Sequence, residues 1–149
     1  MGKIETFSPQ KAEPWLVKFV NRMLGQLTSN FSPLQESELQ RLLDAESSTL
    51  YIISVDGVPA GMLTLCHYHA PTGCKAWVED VVVDAAYRGM GLGRRLVEHA
   101  LSEAQKLSPC TVLLTSRPSR IEANRLYQSV GFEPHQTNVY RYKIKSVEF

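Results

Sequence analysis

A glycine-rich loop between two apolar segments carries the clearest chemical signal in this sequence. It reads Arg88-Gly89-Met90-Gly91-Leu92-Gly93-Arg94, follows a run of valines, and precedes a segment with helical periodicity. A helix N-terminus presents unpaired backbone N–H groups and the positive end of the helix dipole. Glycines let the backbone approach a ligand closely, and Arg88, Arg94 and Arg95 add positive charge. The loop therefore predicts an anion site suited to a diphosphate.

Two common phosphate-binding patterns do not fit this loop. The Walker pattern requires Gly-Lys-Ser/Thr after four intervening residues, whereas Gly93 is followed by Arg94 and Arg95. The dinucleotide fingerprint fails because Gly89-Met90-Gly91-Leu92-Gly93 has one residue too few before its last glycine. On this feature alone, a tight turn without a ligand remains the alternative.

Cysteine and histidine give no comparable signal. Cys66, Cys74 and Cys110 have neither C-x-x-C nor metal-ligand spacing, and an odd number of cysteines suits a reducing compartment. His67 and His69 share a face of a predicted strand, as a metal pair or a base would, but no third ligand is visible nearby. We expect ordinary core or surface thiols, histidines that line the strand surface or a pocket, and no bound metal.

Hydrophobic periodicity predicts the elements that position the loop. The predicted strands cover 3–7, 50–55, 60–69, 75–83, 111–115 and 138–144. The predicted helices are one that carries Trp15 to Leu27, one that opens with a capping box at 32–35 and runs to about Glu46, one that carries Leu92 to Ala104, and one capped by Ser119 and ended by Gly131. Asp56-Gly57 predicts a tight hairpin turn.

The predicted strand 75–83 leads directly to the loop. Strict alternation divides its side chains into two largely apolar faces, one with Trp77, Glu79, Val81 and Val83 and the other with Val78, Asp80 and Val82. We therefore expect a central strand. The order of elements predicts one α/β domain over residues 1–149, a mixed sheet covered by helices on both faces.

Composition limits the classes of function. The chain has 149 residues, 44% of them hydrophobic, which is enough for one buried core but not for two ordinary domains. Its 16 basic and 15 acidic side chains create no net field for nucleic acid or an anionic membrane, so neither is an expected partner. No long apolar stretch or signal-peptide pattern is visible, which predicts a cytoplasmic protein.

Two motifs together resemble the GNAT superfamily of acetyltransferases. The family pattern Q/R-x-x-G-x-G/A is matched by Arg88, Gly91 and Gly93, after Val81-Val82-Val83-Asp84. Further along, Asn124, Tyr127 and Gly131-Phe132 match a second family motif at the expected distance. The resemblance spans about residues 50–142 and implies a central, mixed but mostly antiparallel sheet flanked by about four helices.

The resemblance also implies roles for individual residues. Acetyl-CoA is the implied cosubstrate, with its pantetheine arm along Val81, Val82 and Val83 and its pyrophosphate on the backbone amides of Arg88, Gly89, Met90, Gly91, Leu92, Gly93 and Arg94. Asn124 matches a residue that hydrogen-bonds the arm, and Tyr127 matches a tyrosine near the thioester sulfur. The plainer alternatives are a solvated helix residue for Asn124 and core packing for Tyr127.

Acetyl transfer to an amine requires the amine to lose a proton. An alkylamine with a pKa of ~10.4 is protonated at about pH 7.4, and its deprotonation costs roughly 4 kcal/mol. Glu79 is the expected base, directly or through a water, with Asp80 ranked second. Tyr127 is the expected donor to the departing thiolate. Alternatively, the two carboxylates only line a pocket or pair with Arg or Lys.

The function predicted from the resemblance is direct transfer of an acetyl group to a primary amine of a small molecule or peptide, since no cysteine lies in either motif. The alternative is a non-catalytic, acyl-CoA-binding regulatory module. Phe31, Tyr68, Tyr140 and the two carboxylates favour a small cationic acceptor. Only one good strand fits after Phe132, which leaves a sheet edge that a second subunit could cover, so a homodimer is possible.

Overall fold

The computed structural model describes residues 2–146, and a five-stranded mixed sheet forms its centre. The strands are β1 (Ile4–Phe7), β2 (Ser48–Val55), β3 (Val58–Ala70), β4 (Gly73–Val83) and β5 (Cys110–Leu113). The helices are α1 (Pro14–Leu27), α2 (Glu36–Asp44), α3 (Leu92–Ala104) and α4 (Ile121–Ser129). Strands β1 to β4 pair antiparallel in sequence order, and β5 adds parallel to β4.

Two apolar clusters lie on opposite faces of the sheet. On one face, α3 and α4 cover Ile53, Leu63 and Val78 of the sheet. Leu96 and Val97 of α3 pack into the same cluster. On the other face α1 and α2 pack Leu16, Met23 and Leu39 against Ile52 and Met62. The alternation of β2 and β3 therefore supplies both cores, and the predicted mixed sheet with helices on both faces is confirmed.

The hairpin and the helix that flank the loop form where the sequence predicts them. Asp56 and Gly57 have φ values of 51° and 79°, as a tight turn between β2 and β3 requires. Helix α3 begins at Leu92 because Gly91 precedes it in the left-handed region, with φ 74°. Its buried residues Leu92, Leu96, Val97 and Ala100 follow the predicted helical spacing.

Helices α2 and α4 begin later than predicted. The Asn21 side chain of α1 binds both backbone groups of Leu34, at 2.8 Å to its N–H and 3.1 Å to its carbonyl, so this residue is tied to α1 rather than to a helical turn. Helix α2 starts at Glu36, and the N–H of Gln35 donates to Glu38 Oε1 at 3.0 Å. Helix α4 starts at Ile121 after Arg120, and Ser119 does not cap it.

The strict alternation predicted for strand 75–83 is wrong, because β4 contains a bulge. Glu79 pairs with Thr64 and Val82 with Met62, so Asp80 and Val81 together face Leu63. Asp80 adopts φ 51°, in the left-handed region. Val78 and Val81 consequently point to the α3 side, while Glu79 shares the face of Val82 and not that of Val81.

The predicted closing strand at 138–144 is not formed. Residues 133–146 contain no helix or strand, and all of them are exposed. The alternating pattern is present, but in the described part of the chain the segment pairs with no strand. Among residues 2–146, none of the helices combines the length and the apolar character needed to cross a membrane.

Gly61 in β3 lies where the sheet and α3 approach each other closely. A Cβ there would lie 3.0 Å from the Val82 carbonyl oxygen and 3.3 Å from Leu96 Cδ1. We expect Gly61→Ala to lower the free energy of unfolding by about 1–3 kcal/mol through overpacking. In contrast, Gly25→Ala inside α1, where a Cβ meets only Phe31 at 3.5 Å, should raise it by about 0.5–1 kcal/mol.

Urea unfolding followed by tryptophan fluorescence measures both changes. Equal midpoints for the two variants would contradict the close packing of α3 on Gly61.

Candidate active site

A cleft of about 760 Å³ lies where β4 meets the glycine-rich loop. Its walls come from the end of α1, the end of β4, the loop, and the first half of α4. The predicted ligand-binding residues that line it are Val81, Val82, Val83, Arg88, Gly89, Gly91, Leu92, Gly93, Arg94 and Tyr127. Met90 is 46% exposed and lies outside this lining.

The three glycines of the loop have two different roles. Gly89 and Gly91 have φ values of 82° and 74°, and a Cβ on either would meet no atom within 4 Å. They let the chain enter α3 while they leave the space beside the helix N-terminus open for a ligand. Gly93 instead allows close packing of two helices, because its Cβ would lie 3.3 Å from Leu126 Cδ2 of α4.

The arginines of the loop are held by partners within the chain. Arg88 Nε donates to the carbonyl of Val83 at 3.4 Å. Arg94 Nε lies 2.7 Å from Glu98 Oε1, and its Nη1 donates to Ser129 Oγ at 3.0 Å. Arg94 thus links α3 to α4 at the edge of the cleft, where it also adds positive charge.

Asp84 fixes the junction of β4 and the loop against α1. It is only 8% exposed, and its carboxylate lies 3.2 Å from Arg22 Nη2 and accepts hydrogen bonds from the Gln26 side chain and the N–H of Ala86. Gln26 Oε1 in turn accepts the N–H of Ala85 at 2.9 Å. The last turn of α1 is therefore attached to the strand end, which explains how it comes to wall the cleft.

A second cavity of about 320 Å³ shares Leu27, Val81, Arg120 and Tyr127 with the first. Its other lining residues include Glu79, Asp80, Arg117 and Ser116, whose Oγ is buried without a hydrogen-bond partner in residues 2–146. The structure thus brings the two predicted catalytic residues, Glu79 and Tyr127, to one cavity that adjoins the cleft of the loop.

Glu79 and Asp80 are consecutive acidic residues at the bulge, and both line the smaller cavity. Burial raises the pKa of Glu79, and the negative charge of Asp80 raises it further. Burial also raises the pKa of Asp80. Both shifts bring the groups closer to a pKa at which a carboxylate exchanges protons near neutral pH.

Tyr127 lies between the two cavities and is 5% exposed. Its ring packs edge to face on Phe132, with centroids 6.2 Å apart. Burial raises the pKa of its hydroxyl, and this outweighs the opposing effect of the positive charge and hydrogen bond of Arg120. Tyr127 therefore combines core packing with a place in the lining of both cavities, so the two interpretations of this residue are compatible.

Arg120 is the site residue that the sequence analysis missed. It precedes α4, lines both cavities, and its Nη2 donates to the Val81 carbonyl at 3.3 Å. This carbonyl needs a side-chain partner because pairing between β4 and β5 runs only from Cys74 with Cys110 to Trp77 with Leu113. One signal for Arg120 was available in the sequence. It is an arginine at the start of a predicted helix, and the predicted strand 75–83 is longer than the predicted strand 111–115.

Asn124 lies outside the lining of both cavities. Its Nδ2 donates to the Arg117 carbonyl at 3.0 Å, which stabilises the segment between β5 and α4. Of the four histidines, His67 and His69 lie on β3, opposite Ala76 and Cys74. In the described range 2–146, no three His, Cys, Asp or Glu side chains are grouped as metal ligands would be.

A model of the Acetyltransferase (GNAT) family matches residues 16–132, which include the loop, β4, β5 and α4. This chain belongs to the GNAT family. Its fold agrees with that assignment: an aminoglycoside acetyltransferase from an uncultured soil metagenomic sample superposes with a TM-score of 0.80 at 18% identity, over 96% of each chain. Glucosamine-6-phosphate N-acetyltransferase from Arabidopsis thaliana gives 0.76 at 21% identity, over 94% of this chain and 98% of that one.

Two relatives in sequence are also N-acetyltransferases by name. The ribosomal protein bS18-alanine N-acetyltransferase of Escherichia coli (strain K12) is 40% identical over 58 residues, which make up 39% of this chain and 39% of that protein. This match thus spans about two fifths of the length of the relative. The glucosamine 6-phosphate N-acetyltransferase of Trypanosoma brucei brucei is 29% identical over 134 residues, 76% of this chain and 80% of that protein.

The coupling between the two carboxylates gives a testable shift. Since the charge of Asp80 raises the pKa of Glu79, we expect Asp80→Asn to lower the pKa of Glu79 toward that of an ordinary glutamate. Carbon-detected NMR titration of the Glu79 carboxyl measures this directly. Asp44→Asn, at the end of α2 and outside both cavities, is the control and should change nothing. An unchanged or higher pKa in Asp80→Asn would contradict the coupling.

Proposed function

We propose that this GNAT-family chain is an N-acetyltransferase that moves an acetyl group from acetyl-CoA directly to a primary amine of a small molecule or peptide. The observation that carries the proposal is the junction of two cavities at Val81 and Tyr127. One cavity ends at a helix N-terminus suited to a diphosphate, and the other contains two carboxylates whose pKa values are raised.

The larger cleft fits acetyl-CoA as the cosubstrate. The open space at Gly89 and Gly91 admits a pyrophosphate to the backbone N–H groups at the start of α3. From there, Val81, Val82 and Val83 line the way to Tyr127. Beyond Trp77, this edge of β4 is unpaired with β5, so its backbone groups are open to an extended chain such as the pantetheine arm. Arg120 would have to release the Val81 carbonyl or bind beside the arm.

The smaller cavity supplies the groups that the acyl transfer needs. Glu79 accepts a proton from the acceptor ammonium, directly or through a water, and the free amine nitrogen attacks the thioester carbon. A C–N bond forms, the C–S bond breaks, and the hydroxyl of Tyr127 gives its proton to the departing thiolate. The nitrogen loses its second proton as the amide forms, and this proton returns to Tyr127 through water. The backbone N–H of Val81 is our candidate for polarising the carbonyl. Asp80 raises the pKa of Glu79 and ranks second as a base.

The lining of the smaller cavity favours a small amine that also carries an anionic group. Glu79 and Asp80 attract an ammonium, while Arg117 and Arg120 line the same space and offer bidentate sites for a phosphate or carboxylate. Ser116 Oγ, which has no hydrogen-bond partner among residues 2–146, adds a hydrogen-bonding group for a polar acceptor. An amino sugar phosphate and the N-terminus of a peptide with a nearby carboxylate both meet this description, whereas a polyamine does not.

The test is detection by mass spectrometry of acetylated product after incubation with acetyl-CoA and an acceptor panel of glucosamine 6-phosphate, glucosamine, a peptide that begins with alanine, and spermidine. We expect product with an anion-bearing amine. Tyr127→Phe, which keeps the ring packing, should lower kcat by about 100-fold or more, with unchanged acetyl-CoA affinity by calorimetry.

An unchanged kcat in Tyr127→Phe would exclude its role as donor. Binding of acetyl-CoA without product from any acceptor would favour the non-catalytic, acyl-CoA-binding module instead.

The role of the loop is tested by placing a charge in its open space. Gly91→Glu introduces a carboxylate beside the diphosphate, and we expect a loss of acetyl-CoA affinity of about 100-fold or more, that is ~2.8 kcal/mol. Gly57→Glu is the matched control, since Gly57 has a similar φ of 79° and equally open surroundings but lies in the turn between β2 and β3. Calorimetry with both variants decides: similar affinities would show that the ligand does not approach Gly91.

A further inference from the structure

Two of the three cysteines meet across the parallel pair of strands β4 and β5. Cys74, near the start of β4, is the direct partner of Cys110, the first residue of β5. Partners in adjacent strands point to the same face of the sheet, and such strands lie ~4.8 Å apart. A disulfide spans Cα–Cα distances of about 4.4–6.8 Å without movement of the backbone. The register of this ladder therefore meets the main geometric condition for a bond between the two side chains.

The side chains of the pair also approach each other. Both residues are free cysteines, and their Sγ atoms lie 2.6 Å apart. Alternation places Cys74 on the face of Ala76, toward α3, and Cys110 packs against the same apolar cluster. Cys74 is buried, whereas Cys110 is half-buried and lines a small cavity of about 70 Å³ at the end of α3. Cys110 is therefore the residue that a reagent from solvent reaches first.

We propose that Cys74 and Cys110 are a site of reversible oxidation, at which a low-molecular-weight disulfide of the glutathione class converts the two thiols to an intrachain disulfide. The Cys110 thiolate attacks one sulfur of the small disulfide, and one glutathione leaves. The Cys74 thiolate then attacks the Cys110 sulfur and releases the second glutathione. The two protein thiols lose two electrons and two protons, and one glutathione disulfide takes them up as two molecules of glutathione.

The third cysteine is not placed to compete for either partner. Cys66 lies on β3 opposite Trp77, and its Sγ accepts a hydrogen bond from Ser48 Oγ at 3.5 Å. Trp77 is three positions along β4 from Cys74, which corresponds to ~10 Å and to the opposite face of the sheet. That separation exceeds the reach of a disulfide. Cys66 therefore stays a thiol when the pair is oxidised.

The bond closes a covalent ring around the main elements of the candidate site. The chain between Cys74 and Cys110 contains the bulge at Asp80, the loop 88–94 and all of α3. A cross-link of this kind removes conformations from the unfolded state and so stabilises the folded chain. By the same linkage, the folded chain favours the disulfide over the two thiols.

The environment of Cys110 makes the oxidation slow near neutral pH. Burial, and then the hydrogen bond and charge of Cys74, raise the pKa of the Cys110 thiol to about 11. The thiolate is the attacking species, so only a small fraction of Cys110 is reactive at neutral pH. The pair therefore responds to a lasting change in the balance of thiols and disulfides rather than to a brief one.

The first test equilibrates the folded chain with glutathione disulfide at mildly alkaline pH, quenches it in acid, alkylates it in urea and measures the intact mass. We expect one alkylated cysteine instead of three, with no glutathione attached. Trypsin leaves Cys66 and Cys74 together in the peptide 42–75, so Cys66→Ala identifies which of them is joined to the peptide 107–120. This variant should form the disulfide, and Cys110→Ala should not. Wild-type chain that keeps three alkylated cysteines overturns the proposal, as does a disulfide that Cys66→Ala removes.

The second test asks whether the fold itself favours the bond. Half-oxidation of the pair is measured as the ratio of glutathione disulfide to the square of the glutathione concentration, and we expect a roughly 100-fold lower ratio for the native chain than for the chain in urea. Oxidised wild-type protein should melt roughly 10 °C above the reduced protein. In Cys74→Ala, the same oxidant should leave the melting temperature unchanged.

Equal ratios for the native and the unfolded chain overturn the proposal, and so does an oxidised protein that melts at or below the temperature of the reduced one. These outcomes do not depend on whether the chain is an active acetyltransferase.

Discussion

The bulge at Asp80 is the constraint on which the course of β4 through the candidate site depends. Without it, β4 would continue its alternation, and Val78 and Val81 would point to opposite faces of the sheet. The extra residue turns Val81 to the α3 side, where Val78 already points, and both carboxylates line the smaller cavity beside these valines. A residue at φ 51° is disfavoured unless the surroundings hold it, and the ladders to β3 on both sides of the bulge do so.

Just before the bulge, β4 parts from β5, and the sheet opens beside both cavities. Cys74 to Trp77 pair with β5, but the following residues of β4 face a gap instead of a strand. A central strand with one unpaired edge would normally be a liability. Here Arg120 satisfies the Val81 carbonyl from the side, and Tyr127 of α4 lines both cavities next to it. A side chain rather than another strand therefore satisfies this part of the β4 edge.

Local patterns in the sequence predict the frame of this site well. Helical spacing from Leu92 to Ala104 and the Asp56-Gly57 turn depend on residues that are neighbours in the chain, and the structure has both. The loop, Glu79 and Tyr127 come together as the motifs suggest, although their roles stay predictions. The bulge was not predictable, because Asp80 at positive φ depends on how β4 pairs with β3. Arg120 and the late start of α2 likewise depend on distant partners, Val81 and Asn21.

The closing strand shows the limit of such patterns most directly. Alternation in 138–144 indicates that one face of the segment is suited to burial, but it does not indicate which residues would cover that face. A strand exists only as part of a ladder, so the same residues are strand or extended tail according to whether an edge is within reach. Within residues 2–146, β5 pairs with β4 alone, and the segment 138–144 pairs with no strand. The predicted strand is therefore wrong, although the alternation of the segment is a real property of the sequence.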